Sequence, residues 1–567
     1  MKNYILRIRV FLKSLHTVGL LGIFLASPLL ADTMHGQYDY PFGGGFQMCC
    51  RDDDVSNTFM FTRPVAGNRS TIEALWHNVE YSKPHSWRFS CQAIGIFQQS
   101  LGFDRTRHYF LPSKKDHVLV TGDADIKDLQ ARQIRAEWLN LPSTFQGSFT
   151  LNPKQRQAGM IFQFNQDLSQ LGDTPFLDGA WINFSLPIVS VRNNMHIAQD
   201  ILSTGSSVNQ LGQPGPTTII EAFQQQGWFY GKICSGSMTQ TKLADITIHV
   251  GKTFLARDNF VVASYTAFVI PTGNIQDARF LFEPVSGNNG HFGYGAGVDF
   301  QVPLSCPDAC TQVCFFLDFE SIFFARNKQW RTFDLKCKPY SRYLQFVRRD
   351  DPNPSNGLPP QLIPGVNILT QHVQVHPYNL ADFSTGLRLK VKSLEIEIGY
   401  SIWGHGDEKI IVFEGNCLDK CNLDRACPDG MFGIAGNQNT PHQLAAVGSC
   451  GNILPATASN STIKCQASND VVCEQTVEIL IGHCAGPQVD VNGDTQRVFV
   501  PITRLDLDLQ SGSAQTAFNH KFQMAIGLTY EGDAVDIFFG AGGYYDKPVK
   551  SGALNTLGAW AKIGASF

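Results

Sequence analysis

The sequence predicts an all-β fold: a transmembrane antiparallel β-barrel of about 14 strands, with roughly 12 to 16 compatible with the pattern. Three observations predict it. The chain opens on an export signal, strictly alternating segments of about ten residues recur along most of its length, and it ends on an aromatic residue that closes such a segment.

The export signal comes first. Lys2, Arg7, Arg9 and Lys13 form a basic stretch, Val18 to Leu30 is apolar, and Ala31-Asp32 offers a cleavage point, so residues 1–31 read as a signal peptide. Residues 32–83 are polar. They contain Gly43-Gly44-Gly45, Cys49-Cys50 and Arg51-Asp52-Asp53-Asp54, and read as an N-terminal periplasmic or plug-like extension. Residues 84–567 then form the barrel, with a cysteine-rich loop insertion at about 404–497. Past the signal no run approaches the ~20 apolar residues that a membrane-spanning helix needs. The 45 basic and 49 acidic residues nearly balance, which gives no support for a nucleic-acid partner.

The alternation is clearest at His291–Val302. Phe292, Tyr294, Ala296, Val298, Phe300 and Val302 share one face, and His291, Gly293, Gly295, Gly297, Asp299 and Gln301 share the other. Other candidates are Phe145–Leu151, Met160–Phe164, Ala180–Leu186, Ile246–Val250, Val261–Val269 and Leu394–Trp403. Strands are also expected at Val498–Leu509 and, to satisfy up-and-down parity, at Cys473–Ile481. Ile197–Leu202 and Thr217–Gln226 read as short helices in a loop that could fold into the lumen, and the proline-rich 349–362 as an irregular loop. The C-terminal block is the densest: Phe522–Tyr530, the turn Glu531-Gly532-Asp533, Val535–Ala541, and a last strand Leu557–Phe567.

That last strand, closing on Phe567, resembles the C-terminal insertion signal of Gram-negative outer-membrane barrels, although Ala561 and Ala565 stand where bulkier residues are common. The resemblance covers most of residues 84–567 as pattern, of porin-like type. It implies an outer-membrane location, lipid and the barrel-insertion machinery as partners, and passive diffusion of small solutes through a polar lumen. The alternative is a structural or adhesive surface barrel without transport, cross-linked through cysteines. Chlamydial major outer-membrane proteins are similar in being cysteine-containing porins.

Charges that alternate with apolar residues are expected to face the lumen, because a charge on the lipid side costs roughly 2–4 kcal/mol at mid-depth. The candidates are Arg135, Asp245, Asp299, Lys390, Glu395, Glu397 and Lys562. Both signs occur, so this pattern predicts no ion preference. Trp181, Trp403, Tyr400, Trp560, Tyr544 and Tyr545 lie near strand ends and are expected at the membrane interface.

An oxidising compartment favours disulfides, and Cys306, Cys310, Cys314, Cys417, Cys421, Cys427, Cys450, Cys465, Cys473 and Cys484 are the candidates. The 15 cysteines are an odd number, which leaves at least one thiol free or paired with another molecule, so an intermolecular disulfide or a homo-oligomer stays open. Cys417-x3-Cys421-x5-Cys427 lacks the paired spacing of a zinc site, and Asp419, Asp424 and Asp429 do not match a calcium loop. The glycines from Gly287 to Gly297 lack the Lys-Ser/Thr of a phosphate loop, and Cys234-Ser235-Gly236-Ser237 lacks the flanking glycines of a nucleophile elbow. No catalytic residue, cofactor or metal is therefore expected, and the chain does not read as an enzyme.

Overall fold

A computed structural model describes residues 56–75, 88–102, 104–111, 116–122, 134–171, 177–205, 214–257, 260–305, 311–336, 339–348, 363–377, 379–412, 432–434, 446–447, 453–454, 501–502, 504–549 and 552–567. The expected signal peptide, the glycine and acidic runs before residue 56, residues 349–362, the expected parity strand Cys473–Ile481 and most of the expected cysteine-rich insertion lie outside them.

Twelve strands follow one another round a closed ring. They are β1 (Phe89–Ser100), β2 (Lys154–Asp167), β3 (Ala180–Asn194), β4 (Ile246–Arg257), β5 (Phe260–Ile270), β6 (Gly293–Pro303), β7 (Thr311–Phe324), β8 (Leu380–Val391), β9 (Leu394–His405), β10 (Ala517–Tyr530), β11 (Asp536–Pro548) and β12 (Thr556–Ser566). Each pairs antiparallel with its sequence neighbours, and β12 pairs back onto β1 from Ser90↔Ser566 to Ser100↔Thr556. Closure removes the sheet edges, which lipid would leave unsatisfied. The count is the lower end of the predicted range. Met238–Leu243 continues β4 along the outer half of β3, past a break at Ala244-Asp245 that faces Pro187. Pro187 has no N–H to donate, and its carbonyl accepts from Ala244 N at 2.8 Å.

The alternation sets which side faces out. On β10, Phe522, Met524, Ile526, Leu528 and Tyr530 are exposed, Met524 by 64 %, whereas Lys521 and Gln523 are buried. Ile398 on β9, Phe539 on β11 and Ile563 on β12 continue this belt of large exposed apolar side chains. A water-soluble molecule rarely tolerates such a continuous surface, whereas a bilayer demands it. A closed antiparallel barrel with an apolar outer belt and a polar inner wall is the architecture of an outer-membrane β-barrel.

Strand β5 departs from the expected phase. Val261, Ala263, Tyr265, Ala267 and Val269 point inward, and Phe260, Val262 and Phe268 point outward. Both faces of this strand are apolar enough to face lipid, so its period alone does not determine the phase.

The two rims differ. One carries the short connections 258–259, 304–310, 392–393 and 531–535, together with the C-terminus. The other carries the long ones: 101–153, 195–245, 271–292, 325–379 and 406–516. These long loops build a cap with its own hydrophobic core, in which Trp138, Phe145, Phe149, Phe223, Trp228, Tyr343, Phe346, Val373 and Leu507 are fully buried. Two expected barrel strands belong to this cap. Phe145–Leu151 contributes Gln146–Thr150 to a small four-stranded sheet, and within Val498–Leu509 the described residues form two two-residue strands, Pro501–Ile502 and Leu507–Asp508, with a 3-10 turn at Arg504–Asp506 between them. The same period of two serves a capping sheet and a spanning strand, but five residues are too short to cross a bilayer. The expected helix Ile197–Leu202 is instead the strand Ala198–Ser203. Thr217–Gln226 holds a single turn at Ile219–Ala222, capped by Thr218 and packed into the cap core rather than the lumen.

A candidate lumenal gate

Residues 56–75 run from the cap into the barrel: Ser56, Asn57, Thr58 and Met60 are fixed among cap residues, and the candidate site is the contact of residues 61–75 with the inner wall. It contains a short helix, α1 (Arg69–Glu73), whose side chains are all buried. Its charged residues meet the wall at defined points. Arg63 pairs with Asp382 and lies 3.7 Å from Asp546. Arg69 Nη2 donates to both oxygens of Asp299, at 3.1 and 3.2 Å, and Nη1 lies 3.9 Å from Glu320. The Arg69 guanidinium also stacks 4.2 Å over the Tyr265 ring and pairs with Glu73 one helical turn on.

The backbone of the segment is held as firmly as its side chains. Lys521 Nζ donates to Asn68 Oδ1 at 2.6 Å, to Ser70 Oγ at 2.8 Å and to Thr71 Oγ1. Lys562 Nζ donates to the carbonyls of Ile72 and Ala74, the latter at 2.8 Å, and so places a cation on the C-terminal carbonyls of α1. Val65 N donates to Gln157 Oε1 at 2.9 Å, and Leu75 N to Glu397 Oε2 at 2.9 Å. The wall thus supplies donors to carbonyls and acceptors to amides, which a buried irregular segment requires.

Counted round the ring, the buried wall is unevenly charged. Asp299, Asp318, Glu320, Asp382, Glu395, Glu397 and Asp546 are acidic, and Arg388, Lys521 and Lys562 are basic. The excess concentrates on β6 and β7, where Asp299 lies directly opposite Asp318 in register. Carboxylate oxygens of Glu73, Asp299 and Asp318 lie within 4.8 Å of one another. Arg69 enters this cluster, and Glu320 also meets His249 Nε2 at 3.2 Å and the Tyr265 hydroxyl at 3.2 Å. Acids and bases mix on the strands that follow, from β8 onward, where Arg388 Nε lies 3.4 Å from Glu397. Beside the segment lies a cavity of about 60 Å³, lined by residues that include Arg69, His249 and Glu320.

The predicted lumen candidates fall in three groups. Asp299, Glu395, Glu397 and Lys562 are buried on barrel strands, and Asp299, Glu397 and Lys562 touch the threaded segment. Lys390 sits at the short-turn rim, 2.8 Å from Glu531 and 3.9 Å from Glu395. Arg135 and Asp245 are not on barrel strands. Arg135 is buried in the cap, 3.5 Å from Glu137, and burial lowers its pKa to about 10. Asp245 sits at the break before β4 and accepts from Gly273 N at 2.9 Å and Asn288 N at 2.6 Å. It fastens the β5–β6 connection, and burial pushes its carboxyl up. Arg63, Arg69, Asp318, Glu320, Asp382, Lys521 and Asp546 went unread. For the wall residues the signal was present: Asp318 and Glu320 interrupt a phenylalanine-rich run at period two, as Lys521 does before Phe522.

Four of the six aromatics expected at the interface point inward instead: Trp181, Trp403, Tyr544 and Trp560. Trp181 lies across from Gly251 and Tyr544 across from Gly558, and a Cβ on either glycine would stand 2.1–2.2 Å from the ring. Trp560 opposite Gly542 and Tyr265 opposite Gly297 repeat the arrangement. An inward ring lies flat over the neighbouring strand only where that strand has no side chain, an aromatic rescue of glycine. Among the disulfide candidates, Cys314 faces inward on β7 as a free thiol. Cys306, Cys310, Cys417, Cys421, Cys427, Cys450, Cys465, Cys473 and Cys484 lie outside the described residues. Phe567 stacks on Phe89 with centroids 6.3 Å apart, and its backbone closes the β1–β12 seam.

No family model matches the chain, and no curated protein matches it. Solved structures of similar shape include an outer membrane channel from Pseudomonas putida F1, at 9% identity and TM-score 0.33, covering 85% of this chain and 99% of that one. The TodX deltaS2S3 mutant monoaromatic hydrocarbon channel aligns at 8% identity and TM-score 0.31, over 91% and 98% of the two chains. The translocator domain of the autotransporter NalP from Neisseria meningitidis aligns at 6% and 0.27, over 88% and 93%.

Proposed function

We propose that this barrel is a gated outer-membrane channel, which small solutes cross by passive diffusion when residues 56–75 leave the lumen. The observation that carries this reading is the polar inner wall. Gln92, Gln98, Gln163, Asn183, Ser185, Ser384 and Ser401 line it beside the charged residues, a surface suited to water as much as to a polypeptide. The segment in the lumen is held by hydrogen bonds and ion pairs that water can replace, not by an apolar core of its own. Its apolar residues Phe59, Met60, Phe61, Val65, Ala66, Ile72, Ala74 and Leu75 pack against the cap and the wall. Phe567 at the seam serves as the signal for the insertion machinery, and the apolar belt meets outer-membrane lipid.

The filled lumen and the packed cap favour a second reading, a non-conducting surface barrel. Planar bilayers separate the two. Discrete conductance steps from the purified chain, more frequent when the segment's anchors are weakened, support the channel. Silence from folded barrels in both forms supports the surface role.

A further inference from the structure

We infer that the open lumen is cation-selective, so that its solutes are small cations or neutral molecules rather than anions. The inference rests on the channel reading above and gives it a substrate class. Seven acidic and three basic side chains are buried on the wall. The threaded segment brings two arginines to the acids, Arg63 to Asp382 and Asp546, and Arg69 to Asp299 and Glu320. It also brings one acid, Glu73, which pairs with Arg69. The segment is thus a tethered counter-cation, and its guanidinium groups occupy the places where a permeating cation would sit.

When the segment leaves, the wall holds four more acids than bases. The densest acid patch is the one that Arg69 vacates, where Asp299 faces Asp318 across the β6–β7 ladder and Glu320 lies two residues on. Acids of one sign in a narrow, low-dielectric passage concentrate counter-ions and repel co-ions. Lys521 and Lys562 do not cancel the patch, because they lie three or more strands from β7, on β10 and β12, and Arg388 on β8 faces Glu397. A guanidinium compound or a polyamine fits best, since it repeats the contacts that Arg63 and Arg69 already make.

The test uses the full chain carrying R63Q and R69Q, in planar bilayers under a potassium chloride gradient. Reversal potentials are expected to give a cation-to-anion permeability ratio of roughly tenfold at low salt. The ratio should fall toward one near 1 M salt, where the Debye length is about 3 Å. Adding D299N, D318N and E320Q is expected to abolish most of the preference. Steps that are unselective or anion-selective overturn the inference and leave the channel reading standing. If R63Q/R69Q does not give a heat-modifiable barrel, deletion of residues 56–75 carries the same measurement. Silence from heat-modifiable barrels of both variants overturns the channel reading, and this inference with it.

Discussion

Replacing Arg69 with Gln should release the threaded segment and leave the barrel standing. Arg69 lies 3.1 Å from Asp299 and 3.9 Å from Glu320, and it also pairs with Glu73. At an effective dielectric constant of about 20, each of the two measured contacts corresponds to roughly 4–5 kcal/mol of attraction before desolvation. Glutamine keeps hydrogen-bonding capacity but loses the charge. The carboxylates of Glu73, Asp299 and Asp318, within 4.8 Å of one another, then repel by about 3 kcal/mol per ionised pair. Removing one partner of a buried ion pair costs about 3–5 kcal/mol. The wall acids can recover their hydration if the segment leaves, whereas unfolding the barrel would break twelve antiparallel ladders. The loss therefore falls on the segment. At a factor of ten per 1.4 kcal/mol, its open population should rise by about two to three orders of magnitude. Limited digestion with a glutamate-specific protease reads this directly, because the Glu73–Ala74 bond, buried in the lumen with Glu73, becomes a cleavage site only when the segment leaves the wall. Cleavage after Glu73 should accelerate by that factor under subsaturating protease, with the unheated gel mobility of the barrel unchanged. Cleavage within a factor of two of the parent would refute the assignment of Arg69 as the anchor.

Four other outcomes follow from the same geometry. Met524→Lys, on the lipid-facing side of β10 with 64 % exposure, should destabilise the barrel in detergent or bilayer by about 2–4 kcal/mol, seen as a lower heat-modifiability midpoint. Gly251→Val should displace Trp181, whose ring would lie 2.2 Å from the new Cβ, and shift the intrinsic tryptophan emission to the red. Phe149→Ala should cost about 3–5 kcal/mol within the cap core and expose the long loops to protease without affecting barrel migration. Glu283, in the β5–β6 connection, accepts from Phe280 N and Asp277 N, and burial pushes its pKa up to about 8. Its folded state binds a proton that its unfolded state releases, so its contribution is fully present below the ordinary carboxylate range and is lost as pH rises toward 8. Exchange-corrected amide protection at Asp277 and Phe280 should fall between pH 5 and 8, and Glu283→Gln should abolish that dependence.

The barrel was legible wherever one face of a strand carried large apolar residues and the other carried polar ones or glycine. Strands β6, β9, β10, β11 and β12 show that contrast, and their orientation follows from it. Legibility ended where the contrast vanished. Strand β5 places Tyr265 inward because Arg69 stacks on it and Gly297 makes room for it, and neither partner is near in sequence. Gln146–Thr150 alternates like a spanning strand but closes a cap sheet, because loop and barrel strands obey the same period of two. Trp181, Trp403 and Trp560 were misassigned for a related reason: a tryptophan near a strand end suits the interface only if it also holds the outward phase. The threaded segment was hardest to foresee. Arg63 and Arg69 sit in a polar stretch without periodicity, and their meaning resides in Asp382, Asp546, Asp299 and Glu320, some 230 residues or more downstream.

The charge pattern of the wall and the presence of the segment explain each other. Like charges opposed across a ladder are unfavourable, so Asp299 against Asp318 is a poor choice for a barrel that needs only to fold. A neutral pair there would be more stable, because a buried ion pair rarely recovers its desolvation cost against well-packed apolar residues. Such a pair gains instead in specificity. Both oxygens of Asp299 accept from the single Nη2 of Arg69 while Nη1 faces Glu320, and those contacts fix the depth at which Arg69 and the rest of α1 come to rest in the lumen. The same acids that repel one another in an empty barrel define a single register for the segment in a filled one. A wall built only to be permanently blocked could have used apolar side chains for the purpose. On the gated-channel reading proposed above, a wall that stays polar and acidic serves two states, one occupied by the protein's own arginines and the other by water and cations from outside.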